Sequence, residues 1–241
     1  MDLGIDGKVA LVTAGSRGLG RATALALAGE GVRLMLSGRD PETLERARRT
    51  VVEAGGEAEV RAGDVTDPAE PARLVAAAVE RFGGLDIVVA NAGGPPPGRA
   101  IDQSDEALEA AINANLLTSV RLVREALPHM RVAGWGRICC ITSYTVQQAS
   151  PVLALSNTAR VGLWGWLKTA AHDLASESSG ITINMICPGP HATDRMKELD
   201  GAGVMGDPAD FGSVAAFLCS AQAAFVNGAA VVVDGGATLA L

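Results

Sequence analysis

The sequence has no excess of basic residues: 20 Lys and Arg stand against 27 Asp and Glu, a net charge of −7. Without a basic cluster, neither nucleic acid nor an anionic membrane surface is an expected partner. No apolar run approaches the ~20 residues that a membrane helix requires. The opening residues, Met1 to Lys8, contain no basic stretch leading into a long apolar one, so no signal peptide is expected. Cysteine is sparse, and Cys139, Cys140, Cys187 and Cys219 show neither CxxC nor His-partnered metal spacing. Buried free thiols in a reducing, cytoplasmic compartment are therefore expected, with no metal site. Beyond Pro95–Pro97 no linker, repeat or low-complexity stretch interrupts the chain, so residues 1–241 read as one domain.

Hydrophobic residues make up 48% of the chain, ample for a large core. Short Val- and Ile-rich runs recur at Val9–Thr13, Arg33–Ser37, Glu59–Arg61, Asp86–Ala90, Arg137–Thr142, Thr182–Cys187 and Ala230–Val233. They are nearly continuous in apolar character, as strands covered on both faces should be. Helical spacing fills the segments between them. Asp40-Pro41, Asp67-Pro68 and Asp207-Pro208 each place an Asp at an N-cap and a Pro at the first helical position. Strands alternating with helices predict an α/β fold, a doubly wound, seven-stranded parallel sheet of Rossmann-like type with helices on both faces.

The first strand runs into Thr13-Ala14-Gly15-Ser16-Arg17-Gly18-Leu19-Gly20, and a helical pattern follows. Gly15, Gly18 and Gly20 with Ser16, Arg17 and Leu19 are expected to bring backbone amides and a helix N-terminus against a pyrophosphate. The second strand ends at Ser37-Gly38-Arg39-Asp40. NAD-binding sites place a carboxylate near that point for the ribose 2′-hydroxyl. Here Gly38 and Arg39 stand nearest, and Asp40 reads as a helix cap. Arg39 and Arg17 are expected to clamp a 2′-phosphate, which favours NADP(H) over NAD(H).

This turn, with four further landmarks, resembles the short-chain dehydrogenase/reductase family, in particular its 3-oxoacyl-carrier-protein-reductase-like members. Asp64-Val65 follows the third strand, where the family contacts adenine. Asn91-Ala92-Gly93 is similar to the family's Asn-Ala-Gly element. Pro188-Gly189 with Thr193 resembles the loop beside the nicotinamide, and Val233-Asp234-Gly235-Gly236 the usual ending. The resemblance covers nearly the whole chain. It implies a small-molecule carbonyl or alcohol substrate and a homo-oligomer, a tetramer or dimer, built on the long helices near Glu106–Met130 and Ser156–Ser176. Val161, Leu163, Trp164, Trp166 and Leu167 offer apolar surface for that contact. Ala14 stands where the family has a first glycine.

The catalytic part departs from the pattern. By resemblance Asn115 and Ser143 occupy two catalytic positions, while the family's Tyr-x-x-x-Lys pair falls on Ser156 and Arg160. In the family that tyrosine exchanges a proton with the substrate oxygen, and the lysine lowers its pKa and holds the ribose. Serine is far too weak an acid for the first task. Arg160, one helical turn from Ser156, can hold ribose but does not shuttle protons. Tyr144 is expected in a structural role, pointing away from Ser143 if the strand continues through it. His191 reads as a solvated loop residue, and Lys168, ~12 Å along the helix, is too far away to take the lysine's place. The stretch between Thr193 and Asp207, with Gly201, Gly203 and Gly206, is short for a lid, and Gly94–Gly98 should form a stiff rim. The expected function is NADP(H)-dependent hydride transfer with an atypical proton donor; the alternative is a catalytically impaired nucleotide-binding sensor or partner subunit.

Overall fold

The computed structural model describes residues 2–198 and 204–240. β1 (Val9–Val12) leads into α1 (Gly18–Gly29), β2 (Arg33–Gly38) into α2 (Pro41–Glu53), and β3 (Ala58–Ala62) into α3 (Glu70–Phe82). β4 (Ile87–Ala90) is followed by α4 (Asp105–Ile112), a π-helical segment at Asn113–Leu117, and α5 (Thr118–Ala133). β5 (Gly136–Ile141) leads to α6 (Ala154–Ser176), and β6 (Ile181–Pro188) to α7 (Asp194–Glu198) and α8 (Pro208–Leu218). β7 (Ala230–Val233) closes a seven-stranded sheet of order β3-β2-β1-β4-β5-β6-β7. Every pairing is parallel, and each expected strand is present within one residue at either end.

Strand alternation divides the interior into two cores. Val9 and Leu11 point into one, with Leu74, Val123 and Leu163 of α3, α5 and α6. Ala10 and Val12 point into the other, with Leu27, Leu44 and Phe211 of α1, α2 and α8. The same alternation separates two adjacent thiols: Cys140 belongs to the first core and Cys139 to the second. The pattern needs apolar residues at successive positions, which is why the strands carry unbroken apolar runs.

Asp40 and Asp207 cap α2 and α8, accepting from the backbone N–H of Glu42 at 3.0 Å and Ala209 at 2.8 Å. Asp67 does not cap α3. It accepts from Ala69 N at 3.0 Å in an Asx turn, and the helix begins at Glu70, with Ala69 at its N-cap. The long helix expected near Glu106–Met130 is interrupted by the π segment, where the Thr118 backbone N–H reaches back to the Asn113 carbonyl. Side chains hold that wider turn against the sheet: Asn113 Nδ2 donates to Thr66 O at 2.9 Å, and Thr118 Oγ1 lies 3.0 Å from Val65 O. On α6, Leu163 and Leu167 are buried, Trp164 and Trp166 pack partly against the core, and Val161 is 46% exposed. Lys168 donates to Gly228 O at 2.8 Å, so it ties α6 to the loop before β7.

All four cysteines are buried and free, as expected. Burial pushes the Cys140 thiol up to about 12 and the Cys187 thiol up to about 11. Among the described residues no group of His, Cys, Asp and Glu is arranged to hold a metal ion. No described helix is long and apolar enough to cross a membrane. At pH 8 the folded protein should release no more than a trace of thionitrobenzoate from Ellman's reagent, and guanidinium should expose all four thiols; rapid native labelling would contradict the burial.

Candidate functional site

The strand order reverses at β1, which lies between β2 and β4. In a doubly wound sheet that point leaves a crevice at the carboxyl ends of the strands. Thr13, directly after β1, bridges it: its Oγ1 donates to Asn91 O at 2.7 Å and accepts from Asn91 N at 2.9 Å. The chain then turns through Ala14, whose φ of +46 is left-handed, and Gly15, whose N–H donates to Ser37 O at 2.9 Å. Gly18 opens α1 at φ +56. A Cβ on Gly20 would lie 2.5 Å from Ala14 O and 2.6 Å from Asn91 Nδ2, so only glycine fits there. Unlike α2, α4 and α8, α1 has no side-chain cap and no acidic residue in its first turn. Its amides and the positive end of its dipole are left facing the crevice, as a bound pyrophosphate requires.

A cavity of about 480 Å³ occupies the crevice. Arg17, Gly18, Leu19 and Arg39 line its end near β1 and β2; Asn91, Ala92 and Gly93 follow β4. Ser143, Ser156 and Arg160 line it beyond β5, and Pro188, Gly189 and Thr193 beyond β6. Gly15, Ser16, Gly20 and Gly38 shape the turn behind this lining; Ser16 Oγ is 3.3 Å from where a Gly38 Cβ would stand. Asp64 and Val65 lie outside the lining. The Asp64 carboxylate accepts from Thr66 N at 3.0 Å and Thr66 Oγ1 at 2.8 Å, which holds it below its usual range, with help from the Arg39 charge.

Ser143 begins a 3₁₀ turn over Tyr144–Val146, and its Oγ accepts from Thr145 N at 3.2 Å and from Thr145 Oγ1 at 3.0 Å. Two acceptances leave the Ser143 proton for the cavity. Ser156 and Arg160 lie one turn apart on α6, and Arg160 Nη1 donates to Ser156 Oγ. Burial, and secondarily the charge of Arg195, push the Arg160 guanidinium down to about 10, so it stays cationic at neutral pH. No carboxylate ion-pairs with it among the described residues. Asn115 is buried in the π segment outside the cavity lining, its Nδ2 donating to Ala111 O at 3.4 Å. It does not join Ser143.

Two expectations, for His191 and Tyr144, are corrected. His191 is buried at 4% exposure, not solvated: Nδ1 lies 3.0 Å from Gly189 O, and the ring meets Phe211 edge-on at 5.2 Å. A carbonyl only accepts, so Nδ1 carries the proton in that bond. Tyr144 does not continue the strand; β5 ends at Ile141, and the tyrosine lines the cavity beside Ser143. The lid is bound at its base, with Ala192 N donating to Gly206 O at 3.0 Å and Gly206 N to Pro190 O at 2.9 Å. Gly201 and Gly203 lie outside the described residues. The rim bears out its expectation: Gly94 and Pro95 line the cavity, Gly98 N donates to Val152 O at 2.8 Å, and Arg195 Nη2 of α7 donates to Pro95 O at 2.8 Å. Sequence reasoning missed Arg195 because nothing in the order of residues signals a bond across 100 positions.

A parallel sheet with an uncapped helix over its switch point is the doubly wound, Rossmann-like scaffold. The family model described as Enoyl-(Acyl carrier protein) reductase matches residues 13–238, and the chain belongs to this branch of the short-chain dehydrogenase/reductase family. An uncharacterized oxidoreductase of Mycobacterium tuberculosis is 33% identical over 97% of this chain and 93% of its own. The 3-oxoacyl-[acyl-carrier-protein] reductase FabG of Vibrio cholerae is 31% identical over 97% and 98%. The crystal structure of L-sorbose reductase from Gluconobacter frateurii, complexed with NADPH and L-sorbose, is 30% identical, covers 100% of both chains and has a TM-score of 0.93.

Two substitutions test the turn. Gly20→Ala should cost roughly 1–3 kcal/mol through overpacking, read as a lower urea midpoint. Ala14→Gly should relieve left-handed strain of about 1–2 kcal/mol, less the backbone entropy of glycine, roughly 0.5–1 kcal/mol. Its urea midpoint should therefore rise.

Proposed function

We propose that the protein is an NADP(H)-dependent oxidoreductase that transfers a hydride between nicotinamide and a ketone or secondary alcohol, with an atypical proton donor. The observation that carries this reading is the single cavity running from the uncapped start of α1 to the Ser143, Ser156 and Arg160 side chains. When bound, the cofactor supplies the hydride. The chain's own residues bind and orient. The first-turn amides of α1 take the pyrophosphate, and Thr193, packed over Gly18, secures it. Arg17 and Arg39 hold the 2′-phosphate, with Asp40 engaged as the α2 cap rather than turned toward a ribose. Asp64 and Val65 border the adenine, while Asn91, Ala92, Gly93, Pro188 and Gly189 supply the walls.

At the other end Arg160 stands where the family has lysine and holds the nicotinamide ribose. Ser156 stands where it has tyrosine. Because Ser156 Oγ accepts from Arg160, its own proton is available to a substrate oxygen, as is that of Ser143. Both hydroxyls position and polarise the oxygen; neither is acidic enough to protonate it. Asn115 acts through the π segment rather than by contact. The protein works in the cytoplasm as a homo-oligomer, a dimer or tetramer, with exposed Val161 on α6 at the contact.

The second reading, a non-catalytic sensor or partner subunit, is favoured by one observation: a serine hydroxyl tied to a guanidinium where a phenol is needed. Single-turnover mixing of NADPH with ethyl acetoacetate, cyclohexanone and L-sorbose, followed at 340 nm, separates the two. Oxidation of NADPH supports the enzyme. Tight NADPH binding without oxidation, with turnover only in Ser156→Tyr/Arg160→Lys, establishes the sensor. Arg39→Ala should weaken NADPH binding roughly 10- to 100-fold, the value of a charge-assisted contact, and change NADH binding little; equal losses would overturn the NADP(H) preference.

A further inference from the structure

We propose that Tyr144 is the proton donor of this site. The inference rests on the oxidoreductase reading above and names the acid that reading lacks. Among the described residues lining the cavity, few side chains carry a transferable proton. His191 is held by Gly189 O on Nδ1, packed on Phe211 and covered by Gly206, whose Cβ would lie 3.0 Å from Nε2. With one ring nitrogen engaged and the other covered, His191 does not present a proton to the cavity. Arg160 and Arg195 are guanidinium groups that stay protonated, and Asp194 as a carboxylate only accepts. Ser143 and Ser156 are aliphatic alcohols. The remaining acid is the phenol of Tyr144, the single tyrosine of the chain.

Its backbone is fixed for the task. Val146 N donates to Ser143 O at 3.2 Å and Gln147 N to Tyr144 O at 3.1 Å, while Thr145 and Val146 are buried beneath the turn. The half-buried ring thus faces the cavity beside Ser143, and its hydroxyl makes no hydrogen bond to a described residue. A substrate oxygen held by Ser143 is placed next to it. In reduction the carbonyl carbon gains the hydride from the reduced nicotinamide, and the C=O π pair moves onto oxygen. That oxygen takes the phenolic proton, and the phenolate regains one from water.

The test compares Tyr144→Phe, Ser156→Ala and wild type with NADPH and the same three ketones. Removal of a general acid costs about 10²- to 10⁴-fold. Tyr144→Phe should lose turnover in that range, retain NADPH affinity, and lose both the high-pH fall of the rate and its solvent deuterium effect. Ser156→Ala should fall about tenfold, a lost positioning bond, and keep both. Separately, tetranitromethane should nitrate Tyr144 in the free protein, and saturating NADP⁺ should slow it; absence of protection counts against the placement. Turnover of Tyr144→Phe within threefold of wild type overturns the inference and leaves the oxidoreductase reading standing. A wild type that oxidises no NADPH overturns both.

Discussion

A pair of hydrogen bonds between Thr13 and the Asn91 backbone fixes the place where the sheet turns around. A parallel sheet that winds outward in both directions has no direct chain connection at its centre, so nothing covalent holds the ends of β1 and β4 in register beyond the last strand bond. The Thr13 hydroxyl extends the ladder by one side chain, donating to and accepting from the same residue. On that extension rest the left-handed turn at Ala14, the close approach of Gly20 to Asn91, and the aim of α1 into the crevice. If the ends separated, the helix would retain its hydrogen bonds and its exposed amides but lose their convergence on one point.

The far end of the cavity is organised differently. Where the cofactor end relies on backbone geometry, this end relies on side chains from three elements: the turn after β5, the first turns of α6, and the loop after β6. Arg160 is the fixed charge among them. Its cost of desolvation is offset in part by the Ser156 hydroxyl and by open contact with the cavity, with no ion pair to it among the described residues. A guanidinium so placed holds neighbours in position and polarises them, while the proton itself must come from elsewhere. The Tyr-x-x-x-Lys arrangement that the resemblance implies carries both the cation and the acid on one helix, whereas here α6 carries a guanidinium and a serine hydroxyl.

Much of the fold was legible in the residue order. Short, nearly continuous apolar runs bounded by helical spacing marked the strands covered on both sides, and Asp40 and Asp207 announced helix starts correctly. The glycine-rich turn was readable because left-handed φ at Gly18 and the crowding at Gly20 leave so few alternatives. What escaped was governed by tertiary contacts. Asp67 resembles Asp40 in sequence, yet forms an isolated turn one step before its helix. The π segment depends on Thr66 and Val65 of a distant loop holding Asn113 and Thr118, and it removes Asn115 from the cavity. His191 looked solvated because its cover, Phe211 and Gly206, comes from the next helix and its approach. Tyr144 was misdirected by one assumption, that β5 continues past Ile141.

The bond from Arg195 to Pro95 has a consequence for the cavity. It joins the segment after β6 to the proline rim after β4, and so lays a strap across the cavity. The residues proposed to hold a dinucleotide run along the cavity from Arg39 to Pro188, and Ser143 and Arg160 line it too. A dinucleotide bound as proposed would lie beneath this strap. The Arg195–Pro95 bond thus makes one edge of the cavity from two segments 100 positions apart in the chain.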